Sequence, residues 1–98
     1  MILVTGATGF LGKRVIQNLL ESGLPFSTTS LSLGVDLRDP LATRELFERV
    51  RPKYVLNCAA FVGGIQFGYK HSAELFRNNI LMTVNLLEVS TEFRVLLS

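Results

Sequence analysis

The segment VTGATGFLG, Val4 to Gly12, places Gly6, Gly9 and Gly12 at intervals of three directly behind the apolar run MILV. An uninterrupted apolar run that ends on glycine reads as a strand buried on both faces, the habit of parallel sheets. Beyond the glycines, Leu11, Val15, Ile16, Leu19 and Leu20 fall on one helical face, and Gly23 supplies a residue suited to a left-handed helix stop. A buried strand, a turn nearly free of side chains and an amphipathic helix, in that order, leave few architectures open.

The same alternation continues. Phe26 to Ser30, rich in Thr, Ser and Phe, predicts a second strand. Asp39 is a predicted N-cap with Pro40 at the first helical position, Leu46, Phe47 and Val50 form a buried face, and Pro52 ends the helix. KYVLNCAA predicts a third strand. From Ser72 a long helix spans 72–92, with Leu75, Phe76, Ile80, Val84 and Leu87 at helical spacing, and Leu81, Met82 and Leu86 widening the stripe. RVLLS opens a fourth strand. Strands alternating with helices predict an α/β, Rossmann-type, doubly wound parallel sheet. About four strands and three helices make this its N-terminal part only. The crossovers are expected to be right-handed, and ligands to sit beyond the carboxyl ends of the strands, where the glycine turn also lies.

At 98 residues the chain is one domain at most. Its formal charge is +2, and the basic residues alternate with acids on predicted helices, as in TRELFERV, which reads as a solvated face and offers no nucleic-acid surface. Cys58 is the single cysteine, so no internal disulfide forms, which fits a reducing, cytoplasmic compartment. No apolar run reaches the length of a membrane span.

A glycine turn between a buried strand and a helix brings backbone N–H groups and the positive end of the helix dipole up to an anion. Gly6, Thr8, Gly9, Phe10, Leu11 and Gly12 are therefore expected to hold a pyrophosphate, with the Thr5 and Thr8 hydroxyls as further donors. A tight turn serving only close helix packing is the simpler use of the same glycines; the strand before and the helix after favour phosphate.

The spacing G-x-x-G-x-x-G behind Thr5 resembles the glycine loop of the extended short-chain dehydrogenase/reductase superfamily, which acts mainly on nucleotide sugars. DLRD resembles that family's acidic segment, and the resemblance implies that Asp36 bonds the adenine amine while Leu37 packs beside the base. NCAA resembles the strand end that runs along the cofactor, so Ala59 and Ala60 are implied contacts. Asn79 falls where the family carries an asparagine in its long helix. Val62 in AAFVGGIQ is similar to the GDP-L-fucose synthase branch, which uses NADPH on a GDP-4-keto-6-deoxy sugar. The resemblance further implies a nucleotide-sugar substrate for the complete enzyme and a homodimer contact on part of helix 72–92.

NAD-binding folds usually place a carboxylate near the end of the second strand, to bind the ribose 2′-OH. FSTTSLS has none, and Thr28, Thr29 and Ser30 can donate to a 2′-phosphate, so NADP is expected ahead of NAD. Lys13, Arg14 and Arg38 are the candidate cationic partners. The family's chemistry also needs a tyrosine with a lysine four residues on. Here Cys58 follows Tyr54 and Ala73 follows Tyr69 at that spacing, so no catalytic residue is assigned. The catalytic and substrate part is expected to be absent from a truncated chain whose last strand exposes an unpaired edge, making it aggregation-prone alone. Cys58 reads as a small core residue, and His71 as a surface or packing residue with no metal partner set. Gly63 and Gly64 read as a loop approaching the cofactor or sugar, and Phe61 and Phe67 as packing residues.

Overall fold

A computed structural model describes the backbone of residues 1–60 and 65–98 and the side chains of 1–60 and 71–98. Val62, Gly63, Gly64 and Phe61 lie outside the described residues, as does the Phe67 side chain. In chain order the elements are β1 (Ile2–Thr5), α1 (Phe10–Ser22), β2 (Phe26–Thr28), a 3₁₀ turn (Leu31–Leu33), α2 (Pro40–Val50), β3 (Tyr54–Asn57), α3 (Ile65–Phe93) and β4 (Leu96–Leu97). The strands form one sheet in the order β2-β1-β3-β4. Every pairing is parallel, with Leu3 opposite both Ser27 and Val55, and Val55 opposite Leu97. Right-handed crossovers in this order put α1 on one face and both α2 and α3 on the other.

The central strands follow from their sequence, since Leu3, Val4 and Val55 are fully buried. Leu3 and Val55 enter the main core with Leu37, with Leu46 and Phe47 of α2, and with Met82, Leu86 and Val89 of α3. Phe47 meets Phe93 edge to face, with ring centroids 5.9 Å apart. α2 starts as its sequence predicts. The Asp39 carboxylate accepts from the amides of Leu41 (3.0 Å) and Ala42 (3.4 Å), and Pro40 begins the helix.

Three expectations need correction. On α1, Leu19 is buried but Leu11 and Leu20 are 58% and 66% exposed. Each residue turns a helix by about 100°, so positions beside the contact line leave it at once. The second strand stops at Thr28, and Thr29 bridges β1 and the glycine turn: its N–H donates to Val4 O (2.9 Å) and its carbonyl accepts from Ala7 N (3.0 Å). The long helix runs from Ser72 as expected, and a further helical stretch from Ile65 joins it across a kink at the non-helical His71 (φ −124°, ψ 27°). Its buried line is Met82, Leu86 and Val89, whereas Phe76, Ile80, Val84 and Leu87 remain exposed. An apolar stripe wider than one face cannot by itself say which edge meets the sheet. Phe47 and its neighbours on α2 decide it. Among the described residues no helix is long and apolar enough to cross a membrane.

Two arginines tie loop and helix ends by ion pairs. Arg38 bonds Asp36 (2.7 Å), and Arg44 bonds both Glu48 (3.2 Å) and Glu92. The Arg38 side-chain hydrogen bond holds the Asp36 carboxyl below its ordinary 3.8, and Arg44 holds Glu92 below 4.5. A depressed carboxylate stabilises the fold above its unfolded value and loses that contribution as pH falls through its folded value. Thermal melts are therefore expected to be flat with respect to these groups above about pH 5 and to fall below it. Arg44→Ala should shallow the acid limb, and an unchanged limb would show that the Glu92 pair contributes nothing. Both pairs are solvent-exposed, so their contribution is small and screened by salt.

Candidate dinucleotide site

The carboxyl ends of β1 and β3 are lashed together by side chains. Thr5, fully buried, donates from Oγ1 to Asn57 Oδ1 (2.6 Å) and accepts from Cys58 N (3.2 Å); Asn57 Oδ1 also accepts from Ala59 N (3.1 Å). The Thr5 hydroxyl is thus spent inside the protein and is not a phosphate donor. It holds the start of the glycine turn against residues 58–59.

Gly6 can occupy that place only as glycine. Its φ is +63°, and an added Cβ would lie 2.5 Å from the Cys58 carbonyl carbon. Gly12 is buried in the first turn of α1, where a Cβ would overlap the Gly6 carbonyl oxygen. Gly9 is different: it is the N-cap of α1 in extended conformation, with room for a Cβ. No side chain caps the helix, so the first amides of α1, those of Phe10, Leu11 and Gly12, have no intrahelical carbonyl. An uncapped 13-residue helix begins where Gly6, Thr8 and Gly9 border a cavity.

That cavity has a volume of about 490 Å³. Its walls bring together the glycine turn, residues 30–32 and 35–37, residues 58–60 and Met82 of α3. Of the residues expected to bind a cofactor, Gly6, Thr8, Gly9, Asp36, Leu37, Ala59 and Ala60 line it. Phe10 and Leu11 point their side chains outward, 81% and 58% exposed, leaving only their amides near the site. Thr29 is buried (2% exposed) with its hydroxyl unpartnered inside the protein, so it does not line the cavity. Asn79 is half-buried on α3 and stands outside the described lining. Val62 falls outside the described residues.

The hydroxyls that do reach the cavity are Thr8, Ser30 and Ser32. Thr8 Oγ1 and Ser32 Oγ lie 2.9 Å apart, and Ser32 Oγ lies 3.0 Å from Ser30 Oγ. This chain joins the glycine turn to the 3₁₀ turn. Ser30 also accepts from Leu33 N (3.2 Å), and Gly34 closes the turn at φ +99°. Ser32, Val35 and Met82 carry no sequence signal of a binding role, because each reaches the cavity only through the 3₁₀ turn or the rotation of α3. Cys58, read as a core residue, is half-buried in the cavity wall, and burial pushes its thiol pKa up, keeping it neutral.

Asp36 is the one charged residue in the described lining. Lys13, Arg14 and Arg38 are absent from it. Arg14 stacks on Phe10 (5.1 Å), and Arg38 is bound to both oxygens of Asp36 and to Asn78 Oδ1. The cavity therefore offers uncapped helix amides, neutral hydroxyls, an apolar back wall and one carboxylate, a set that suits an anion joined to a flat apolar group.

The model of the NAD dependent epimerase/dehydratase family matches residues 2–97. The chain belongs to this family. Its sheet order and glycine turn agree with the extended short-chain dehydrogenase/reductase fold. The chain is similar to GDP-L-fucose synthase of Dictyostelium discoideum, 34% identical over 96 residues, covering 96% of this chain and 30% of that protein. Among solved structures it resembles a GDP-L-fucose synthetase from Naegleria fowleri bound to NADP (36% identity, TM-score 0.78, 96% of this chain and 28% of that one). It also resembles Thermus thermophilus UDP-glucose 4-epimerase in complex with NAD (28% identity, TM-score 0.87, 96% and 34%). The family member described here thus spans about a third of the length of such relatives.

Proposed function

We propose that this chain is the dinucleotide-binding N-terminal part of a nucleotide-sugar epimerase/reductase of the GDP-L-fucose synthase kind. The observation that carries the reading is the uncapped start of α1 behind Gly6 and Gly9, opening on a cavity that Asp36 and Leu37 also line. The α1 amides would hold the diphosphate, Thr8, Ser30 and Ser32 the adenosine ribose, and Asp36 and Leu37 the base. When bound, the nicotinamide cofactor would supply the hydride for reduction of a GDP-4-keto-6-deoxy sugar. Ala59 and Ala60, lacking bulk, leave room for the cofactor along the β3 end. Neither tyrosine is followed by lysine four residues on, so this chain by itself is expected to bind cofactor without turnover. Cys58 as a lone free thiol supports a cytoplasmic setting. The exposed stripe Phe76, Ile80, Val84 and Leu87 supports pairing with a second copy of the chain.

NADP is the proposed cofactor, on the strength of three hydroxyls and no carboxylate at the ribose end. Because no cation borders the cavity among the described residues, the preference over NAD is a modest one. Titration with NADPH and NADH, read by fluorescence or calorimetry, should give tighter NADPH binding by roughly three- to tenfold, the worth of one or two neutral hydrogen bonds. Tighter NADH binding would reverse the preference, and binding of neither would remove the cofactor assignment.

A further inference from the structure

We propose that Asn85, on the buried face of α3, is a positioning residue for the adenine end of the site, acting through the Leu37 carbonyl. This rests on the cofactor reading above and adds a residue that does not itself border the cavity.

The Leu37 carbonyl accepts two side-chain hydrogen bonds from two different helices. Asn85 Nδ2 donates at 2.9 Å from α3, and Thr43 Oγ1 donates at 3.2 Å from α2. Both donors are buried, Asn85 being 6% exposed and Thr43 fully enclosed. Leu37 is itself 4% exposed and lines the cavity beside Asp36. The loop that should read the base is therefore pinned from beneath. The loop's other hold is more local, in the Asp36–Arg38 contacts and the turn in which Asp39 N–H donates to Asp36 O (3.1 Å).

The grip of α3 on this loop is periodic. Asn78 accepts from Arg38 Nη1 (3.4 Å), Met82 lines the cavity, and Asn85 takes Leu37. Positions 78, 82 and 85 are spaced by four and three, one face of a helix. Burying an amide at Asn85 costs free energy unless it is bonded, so a polar side chain on this face marks a required hydrogen bond where a leucine would pack as well. Loosening the Leu37 carbonyl frees residues 36 and 37 together, because they share one turn. Their ability to tell one base from another would then fall, while the glycine turn, held separately by Thr5 and Asn57, would keep its grip on phosphate.

The test uses ADP and IDP, whose purines differ in the 6-substituent, amine against oxo, and in the proton that the oxo form carries on N1. The native chain should prefer ADP by roughly tenfold or more, the worth of one hydrogen bond to a carboxylate. In Asn85→Ala the ADP affinity should fall to near that of IDP, while the IDP affinity stays within about twofold. Thr43→Val, which keeps its shape, should lower the ratio in the same direction and serves in place of Asn85→Ala should that variant not fold. Equal weakening of both nucleotides, or an unchanged ratio, would overturn the assignment by reducing Asn85 to a structural residue. A native chain that binds neither nucleotide would overturn the cofactor reading and this proposal together, an outcome separate from the others.

Discussion

Gly6→Ala should fail to reach a stable fold, whereas Gly9→Ala should fold and lose its cofactor. The first substitution forces a side chain onto a residue at φ +63° and drives its Cβ to 2.5 Å from the Cys58 carbonyl carbon. The left-handed conformation costs an L-residue about 1–2 kcal/mol, and overpacking against rigid backbone about 1–3 kcal/mol more. Set against a domain stability of about 5–15 kcal/mol, and near the low end for a chain this short, that is most or all of the margin. Gly9 has φ −79°, and its Cβ would sit an ordinary 3.4 Å from Gly6 O. Alanine is the poorer N-cap, so Gly9→Ala should cost only about 1 kcal/mol of stability. Its methyl group would nevertheless stand where Gly9 borders the cavity, and NADPH affinity should fall at least about tenfold. Circular dichroism melts and a cofactor titration on both variants check this. A Gly6→Ala chain that melts within about 1 kcal/mol of the native one would show that the turn relaxes freely, and the tight approach of β1 to the β3 end would then not be needed.

Ile80→Asp should separate the proposed dimer without unfolding the chain. Ile80, Val84 and Leu87 are 46%, 43% and 52% exposed, and Phe76 is 69% exposed. They follow one another along α3 at spacings of four, four and three, an apolar strip on the side away from Met82, Leu86 and Val89. In a two-fold pairing each substitution is present twice, once from each copy. Two buried, unpaired carboxylates at about 2 kcal/mol each would raise the dimer dissociation constant by roughly a thousandfold. Because Ile80 makes no part of the main core, the melting temperature of the separated chain should change little. Sedimentation at micromolar concentrations, before and after the substitution, reads the result. A native chain that sediments as a monomer at about 100 μM, or an Ile80→Asp chain that remains dimeric, would exclude this face as the contact.

The parts of the fold that were legible in the sequence are those governed by neighbours a few residues apart. The apolar run before Gly6, the Asp39–Pro40 helix start and the apolar third strand announce themselves, because burial, capping and φ restriction act locally. The glycine turn was legible for the same reason, and with it the loops that a parallel sheet gathers at one end. What local pattern misses is the rotation of an element about its own axis. Leu11 and Leu20 read as buried, yet they face out. The wide stripe of α3 held two candidate faces, and only its packing on Phe47 chose the one with Met82, Asn85 and Leu86.

The hydroxyls show the same limit at the scale of one residue. Thr28, Thr29 and Ser30 were equal candidates in the sequence, but the strand ends at Thr28 and Thr29 turns inward. The 3₁₀ turn then swings Ser32 to within 2.9 Å of Thr8, 24 positions away. Thr5 likewise became a clamp on Asn57, a pairing across 52 positions that two adjacent parallel strands create. By itself, then, the sequence determined the order of elements, the glycine turn and the end of the sheet at which a ligand would sit, since those depend on chain-local sterics and hydrophobic period. Tertiary structure alone decided which side chains face the cavity, because that follows from how α3 and the 3₁₀ turn pack against elements distant in the chain.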